Sequence, residues 1–213
     1  MRRTQSTFAL AVAAALAAAT VTSVAWAALT PEIPRAELMK AGPLGEEALG
    51  PDAAPVTIIE YASMTCPHCA RFNETTFPAL KNQFIDTGKV RFIFREFPLD
   101  PVAAGAFMLA RCAPRGKYFT VIDLFFRTQE QWAVPKPLPH MLAIAKQAGF
   151  TDASAKACLA DQKLLDGIDW VRNRAAKKFH VDATPTFFIN GKKYVGELSI
   201  EQLERAIGSD LSG

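Results

Sequence analysis

An α/β sheet interrupted by a block of helices is the fold this sequence predicts. Three observations carry it. Residues 56–61 and 89–97 are β-branched and phenylalanine-rich runs on either side of a helical stretch, the pattern of two parallel strands joined by a crossover helix. Residues 102–179 then read as helices, with no strand among them. After them come a short apolar strand, Asn190-Gly191 and a returning strand, which together signal a hairpin.

Each element has a local reason. Val56-Thr57-Ile58-Ile59-Glu60-Tyr61 is nearly continuously apolar, as a strand covered on both faces is. Met64 to Ala70 is a turn running into a helix that reaches about Phe84. Pro67 suits the first turn of that helix, where its missing N–H would be unpaired anyway. Asp86-Thr87-Gly88 is a break, and Lys89 to Phe97 is a second strand, closed by Pro98. Helices follow at about 102–113, 117–129, 137–148, 152–160 and 163–179, punctuated by Gly149 and the prolines at 135–139. Asp152 is an N-cap or first-turn acid of its helix. Thr184 to Ile189 is a strand and Lys193 to Gly196 its hairpin partner. The last helix runs from Ser199 to Ile207, with Ser199 and Gln202 spaced as a capping box.

The chain has 213 residues, enough for one domain or one domain with an insertion. Half the residues are hydrophobic and 21% are charged, which excludes an intrinsically disordered chain. Arg2 and Arg3, the apolar run from Phe8 to Ala19 and the small-x-small pattern Ala25-Trp26-Ala27 read as a cleaved signal peptide over residues 1–27; an uncleaved anchor is the alternative. Export places the mature chain outside the cytosol, where cysteines oxidise. The net charge of +3 owes two of its arginines to that peptide, so the mature balance is close to +1. The basic side chains are scattered, which argues against a nucleic-acid partner. Residues 28–54, rich in Pro, Gly and Ala, read as an arm. The domain proper is expected over 55–210, with the helical insertion at about 100–165.

Chemistry concentrates at Cys66-Pro67-His68-Cys69. A cysteine at a helix N-terminus faces unpaired N–H groups and the positive end of the dipole, which favour a thiolate. Two intervening residues let the sulfurs meet in a small ring. His68 can add a positive charge or a donor near the Cys66 sulfur, and Cys69, one turn in, is placed as the resolving thiol. A zinc knuckle would need two further ligands, and neither His140 nor His180 has ligand spacing to the motif. A c-type haem needs a histidine after the second cysteine, where this chain has Ala70. An inert structural disulfide leaves the strand–helix context unexplained. Neither a cofactor nor a metal is therefore expected.

Glu-Tyr-Ala-Ser-Met-Thr-Cys-Pro-His-Cys at 60–69, with Thr184-Pro185 ahead of a strand and hairpin, resembles the DsbA-type thiol-disulfide oxidoreductases of the bacterial periplasm. The resemblance covers about residues 53–210 and implies a thioredoxin-like fold with an inserted all-helical subdomain. It implies that Cys66 attacks and is attacked, with Cys69 its partner and Pro67 and His68 tuning the potential. DsbA itself is the known example of a low-pKa, strongly oxidising Cys-x-x-Cys, so that property is inherited with the resemblance. Pro185 would be a cis-proline facing the sulfurs and, with Thr184, a backbone edge for an unfolded substrate segment. Read from the residues alone, Pro185 is equally an ordinary strand-edge proline. Glu60 has the parity of Val56 and Ile58, and the family has a buried acid at a matching position, which implies proton transfer or potential tuning near Cys69; the alternative is a solvated residue at a strand end.

Thr184 departs from the best-known DsbA, where an aliphatic residue stands, and is similar to the isomerase branch. Disulfide isomerase or reductase activity on the same fold is the alternative to disulfide introduction. The isomerases look dimeric through a long N-terminal domain, for which residues 28–54 are too few, so a monomer is expected. A metal-binding or chaperone-like module with reduced cysteines is a third reading. The implied partners are exported proteins with cysteines and a quinone-linked membrane protein that reoxidises the enzyme. Cys112 and Cys158 fall in the helical block, where an oxidising compartment favours a disulfide over two buried thiols, and some DsbA relatives carry such a second bond. Chain entropy for a loop of about 46 residues gives that bond roughly 4 kcal/mol.

Overall fold

The computed structural model describes residues 33–211. The expected signal peptide at 1–27 lies outside them. A short helix α1 (Arg35–Leu38) and a strand β1 (Glu47–Leu49) come first. They are followed by β2 (Val56–Ala62), α2 (Pro67–Arg71), α3 (Phe77–Leu80) and β3 (Val90–Glu96). The helical block comprises α4 (Pro101–Arg111), α5 (Tyr118–Arg127), α6 (Gln129–Trp132), α7 (Leu138–Gln147), α8 (Asp152–Leu159) and α9 (Gln162–Phe179). The hairpin β4 (Thr186–Ile189) and β5 (Lys192–Val195) and the helix α10 (Ile200–Leu211) complete the chain.

The strands form one sheet in the order β1-β3-β2-β4-β5. β2 and β3 are parallel, and β1–β3, β2–β4 and β4–β5 are antiparallel. Every residue of β2 is buried, as expected for a central strand covered on both faces. The alternation of side chains sorts the core into two layers. Ile58, Ala62, Phe92, Phe94, Phe187 and Ile189 face a cluster shared with Phe72, Phe107, Phe125 and Trp132. Ile59, Tyr61, Ile93 and Phe188 face the other side, against Leu38, Val171, Ala175 and Phe179.

Two sequence expectations change. Within the expected arm, residues 47–49 pair with β3 as an edge strand. Their acids hold them there: Glu46 takes two hydrogen bonds from Arg95, at 2.9 and 3.2 Å, and Glu47 one from Arg111 at 3.2 Å. The helix after Cys66 is also irregular. It passes through wider π turns at Phe72–Thr76 and Lys81–Ile85, on either side of α3, which carries Pro78. A mid-helix proline has no N–H to give and crowds the preceding turn, and a π turn accommodates that break.

Other elements keep their predicted chemistry. Asn190 and Gly191 both have positive φ, at 45° and 94°, as the tight hairpin requires. Ser199 and Gln202 exchange capping hydrogen bonds at 2.8 and 3.3 Å. Thr151, not Asp152, is the N-cap of α8, forming a capping box with Ser154; Asp152 is the first-turn acid.

Candidate active site

Cys66 is the N-cap of α2, with Pro67 in the first turn. A turn precedes it, closed by the Cys66 N–H on the Ser63 carbonyl at 3.1 Å. The two sulfurs are free thiols, Cys66 5% exposed and Cys69 fully buried. Facing them is the loop before β4, where the Thr184–Pro185 peptide bond is cis. The Pro185 carbonyl accepts from the Gly196 N–H at 2.8 Å, which ties this loop to the end of β5. The Cys66 thiol donates to the Thr184 carbonyl at 3.2 Å. The Thr184 hydroxyl is buried there with no hydrogen-bond partner.

The two sulfurs have opposite electrostatics. A hydrogen bond from the Cys69 thiol, with the backbone N–H groups of Cys69 and His68 adding to it, lowers the Cys66 pKa to about 5 against the opposing effect of burial. Burial pushes the Cys69 thiol well above the ordinary range, and its bond to Cys66 and the charge of Glu60 push the same way. The pair therefore has one ready thiolate and one retained proton.

Glu60 is 3% exposed. Its place on β2 gives it the parity of Ile58 and Ala62, so it shares the layer that holds both cysteines. Burial, with the charge on Cys66 adding to it, raises its pKa to about 8. Of the two readings of Glu60, the structure places the buried acid.

His68 behaves differently from expectation. Its side chain is 59% exposed, and Nδ1 accepts a hydrogen bond from the Arg71 guanidinium at 2.6 Å. Arg71 in turn donates to Glu197 at 2.7 Å. What His68 offers the Cys66 sulfur is its backbone N–H. Cys112, which caps the end of α4, and Cys158 in α8 are joined by a disulfide.

Sequence reading missed the residues that brace the motif from the helical block. Thr65 donates to Asp100 at 2.5 Å, while the other Asp100 oxygen caps α4 through the Ala103 N–H at 2.8 Å. The Asp-Pro pair at 100–101 is a helix-start signal and made that cap findable. The Gln129 side-chain amide donates to the carbonyls of Met64 and Cys66, at 2.7 and 3.1 Å. Nothing in the sequence marks Gln129. Among the described residues, no group of three or more His, Cys, Asp or Glu is placed to hold a metal ion.

A mixed sheet with a Cys-x-x-Cys at the start of the helix after β2, opposite a cis-proline, defines a thioredoxin-fold protein. The thioredoxin family model matches residues 44–209. The chain is similar to a crystal structure of alpha-DsbA1 from Wolbachia pipientis, at 31% identity and a TM-score of 0.75, covering 83% of this chain and 97% of that one. It is 34% identical over 161 residues to a Rickettsia bellii protein named a protein-disulfide oxidoreductase, spanning 75% of this chain and 62% of that protein's length. It is 26% identical over 183 residues to disulfide bond formation protein D of Bacillus subtilis, spanning 79% of this chain and 78% of that one. The chain belongs to the DsbA-like branch of the thioredoxin family, the fold of which carries the helical insertion.

Proposed function

We propose that this chain is a dithiol oxidase that introduces disulfides into exported proteins. The observation that carries the reading is the split between the two sulfurs: a Cys66 thiolate stabilised at a helix N-terminus beside a buried, proton-holding Cys69. A stable thiolate is a good leaving group, and stabilising the reduced form makes the disulfide form an oxidant.

In the oxidised enzyme a substrate thiolate attacks Cys66, forming a mixed disulfide and breaking the bond to Cys69. The Cys69 sulfur leaves with the electron pair and takes up a proton, for which Glu60 is the placed donor because burial keeps its own proton on well above the ordinary carboxylate range. A second substrate thiolate then attacks the substrate sulfur of the mixed disulfide, and Cys66 leaves as a thiolate. The substrate loses two electrons and the enzyme gains them. Thr184 and Pro185 supply a backbone edge against which an extended substrate segment lies beside Cys66. Reoxidation by a quinone-linked membrane protein, action as a monomer in the periplasm, and removal of residues 1–27 on export complete the proposal. Isomerase or reductase activity on the same fold is the competing reading, and threonine at 184 favours it.

Trapping tests the mechanism. Cys69→Ser removes the resolving thiol, so mixed disulfides through Cys66 should accumulate in a periplasmic extract. Absence of adducts, with an active wild type, would sink it. Equilibration with glutathione separates the activities: a strongly reducing Cys66–Cys69 pair would reject the oxidase.

A further inference from the structure

We infer that Gln129 is a positioning residue for the redox pair, setting the thiolate strength of Cys66 from outside the motif. The inference rests on the exchange chemistry proposed above for Cys66. Gln129 is half-buried at the start of α6. Its single amide nitrogen reaches two carbonyls of the active-site turn, Met64 at 2.7 Å and Cys66 at 3.1 Å. The Cys66 carbonyl also accepts the Ala70 N–H at 3.2 Å, the first backbone bond of the helix whose N-terminus faces the sulfur. Gln129 therefore holds the Cys66–Pro67 peptide, from which the chain runs on to the His68 and Cys69 N–H groups that face the Cys66 sulfur.

The platform behind it is rigid. Trp132, at the other end of α6, is fully buried, meets Phe125 edge-on and donates its indole N–H to the Phe125 carbonyl at 2.7 Å. Thr128, just before Gln129, bonds the Leu124 carbonyl at 2.7 Å. An amide on so fixed a support restrains the turn, whereas a loop-borne one would follow it. Its N–H dipole also points its positive end toward the peptide of Cys66, which favours negative charge on the sulfur.

Two variants of similar size separate positioning from bulk. Gln129→Leu keeps the volume and removes the donor. Gln129→Glu keeps the shape, turns a donor into an acceptor facing two carbonyl oxygens, and adds negative charge. The Cys66 thiolate is titrated by its absorbance near 240 nm, and the equilibrium constant with glutathione is measured alongside. Loss of a hydrogen bond of ordinary strength should raise the Cys66 pKa by about half a unit to one unit and shift the equilibrium constant with glutathione roughly three- to tenfold away from the reduced protein in Gln129→Leu. Gln129→Glu should shift both further in the same direction. Folded variants whose titration matches the wild type would overturn the inference, and so would loss of folding in both, which would make Gln129 a purely structural residue. A wild type that fails to exchange with glutathione would instead overturn the proposed function, since the absorbance titration needs no exchange and still tests Gln129.

Discussion

Cys66 and Glu60 pull the pH dependence of stability in opposite directions. The Cys66 thiol ionises at about 5 in the folded dithiol form, below its ordinary value of 9.0. Its contribution is complete above pH 9 and disappears as pH falls through 5, where folded and unfolded chains both hold the proton. Glu60 is raised from 4.5 to about 8, so its burial costs nothing below pH 4.5 and reaches its full cost above 8. In the disulfide form the Cys66 contribution is gone, and with it the part of the Glu60 cost that the Cys66 charge adds; the larger part, from burial, remains. Glu60→Gln should therefore leave the oxidised protein's stability unchanged at pH 4 and raise it above pH 8, by an amount on the order of 3–4 kcal/mol. Urea melts across that range decide it, and a constant offset at all pH values would reject the buried-acid reading. The sequence made both cysteines and the parity of Glu60 legible, because a strand alternates and a helix begins at a fixed point. The partner of the His68 ring was not legible: Arg71 is one turn on in the same helix, and Glu197, which fixes it, is 126 residues from Arg71.

At the scale of elements, contacts between distant segments decide what the arm does. Gly167, buried in α9, leaves room for Leu44, whose Cγ lies 2.5 Å from where a Cβ on residue 167 would sit. An alanine gains about 1 kcal/mol of helix propensity over glycine. The overlap reaches the branch carbon of Leu44, and overpacking of that kind costs about 1–3 kcal/mol. Gly167→Ala should accordingly destabilise the protein by about 1 kcal/mol and lower Tm by a few degrees. Gly167→Ala with Leu44→Ala should be destabilised by less than the two single losses together, the coupling that a double-mutant cycle reads. Strand positions and the hairpin turn were readable from the sequence because period and turn chemistry are local. Strand β1 was not: three residues carry no period, and the acids that secure it find arginines 49 and 64 residues away.

Over the whole molecule, a disulfide within the helical block and a buried ion pair between the sheet and the block lie outside the redox motif. The Cys112–Cys158 disulfide closes a 46-residue separation within the block. Replacing both cysteines by alanine should lower the unfolding free energy by about 2–4 kcal/mol in guanidinium melts. Exchange at Cys66 should persist in that variant, because its turn is braced through Asp100 and Gln129. Loss of exchange without loss of stability would show that the disulfide serves the site. The buried Glu96 carboxylate accepts from Arg111 at 2.5 Å and from Tyr118 at 2.8 Å, joining β3 to α4 and α5. The sequence by itself determined the α/β order, the helical interruption and the Cys66–Cys69 pair, since strand alternation, helix-start chemistry and a two-residue spacing act over a few neighbours. The tertiary structure decided that Glu60 is buried, that the Thr184–Pro185 loop faces Cys66 and that Gln129 reaches the turn. Those outcomes depend on desolvation and on hydrogen bonds between segments 60 to 120 residues apart, which no local pattern encodes.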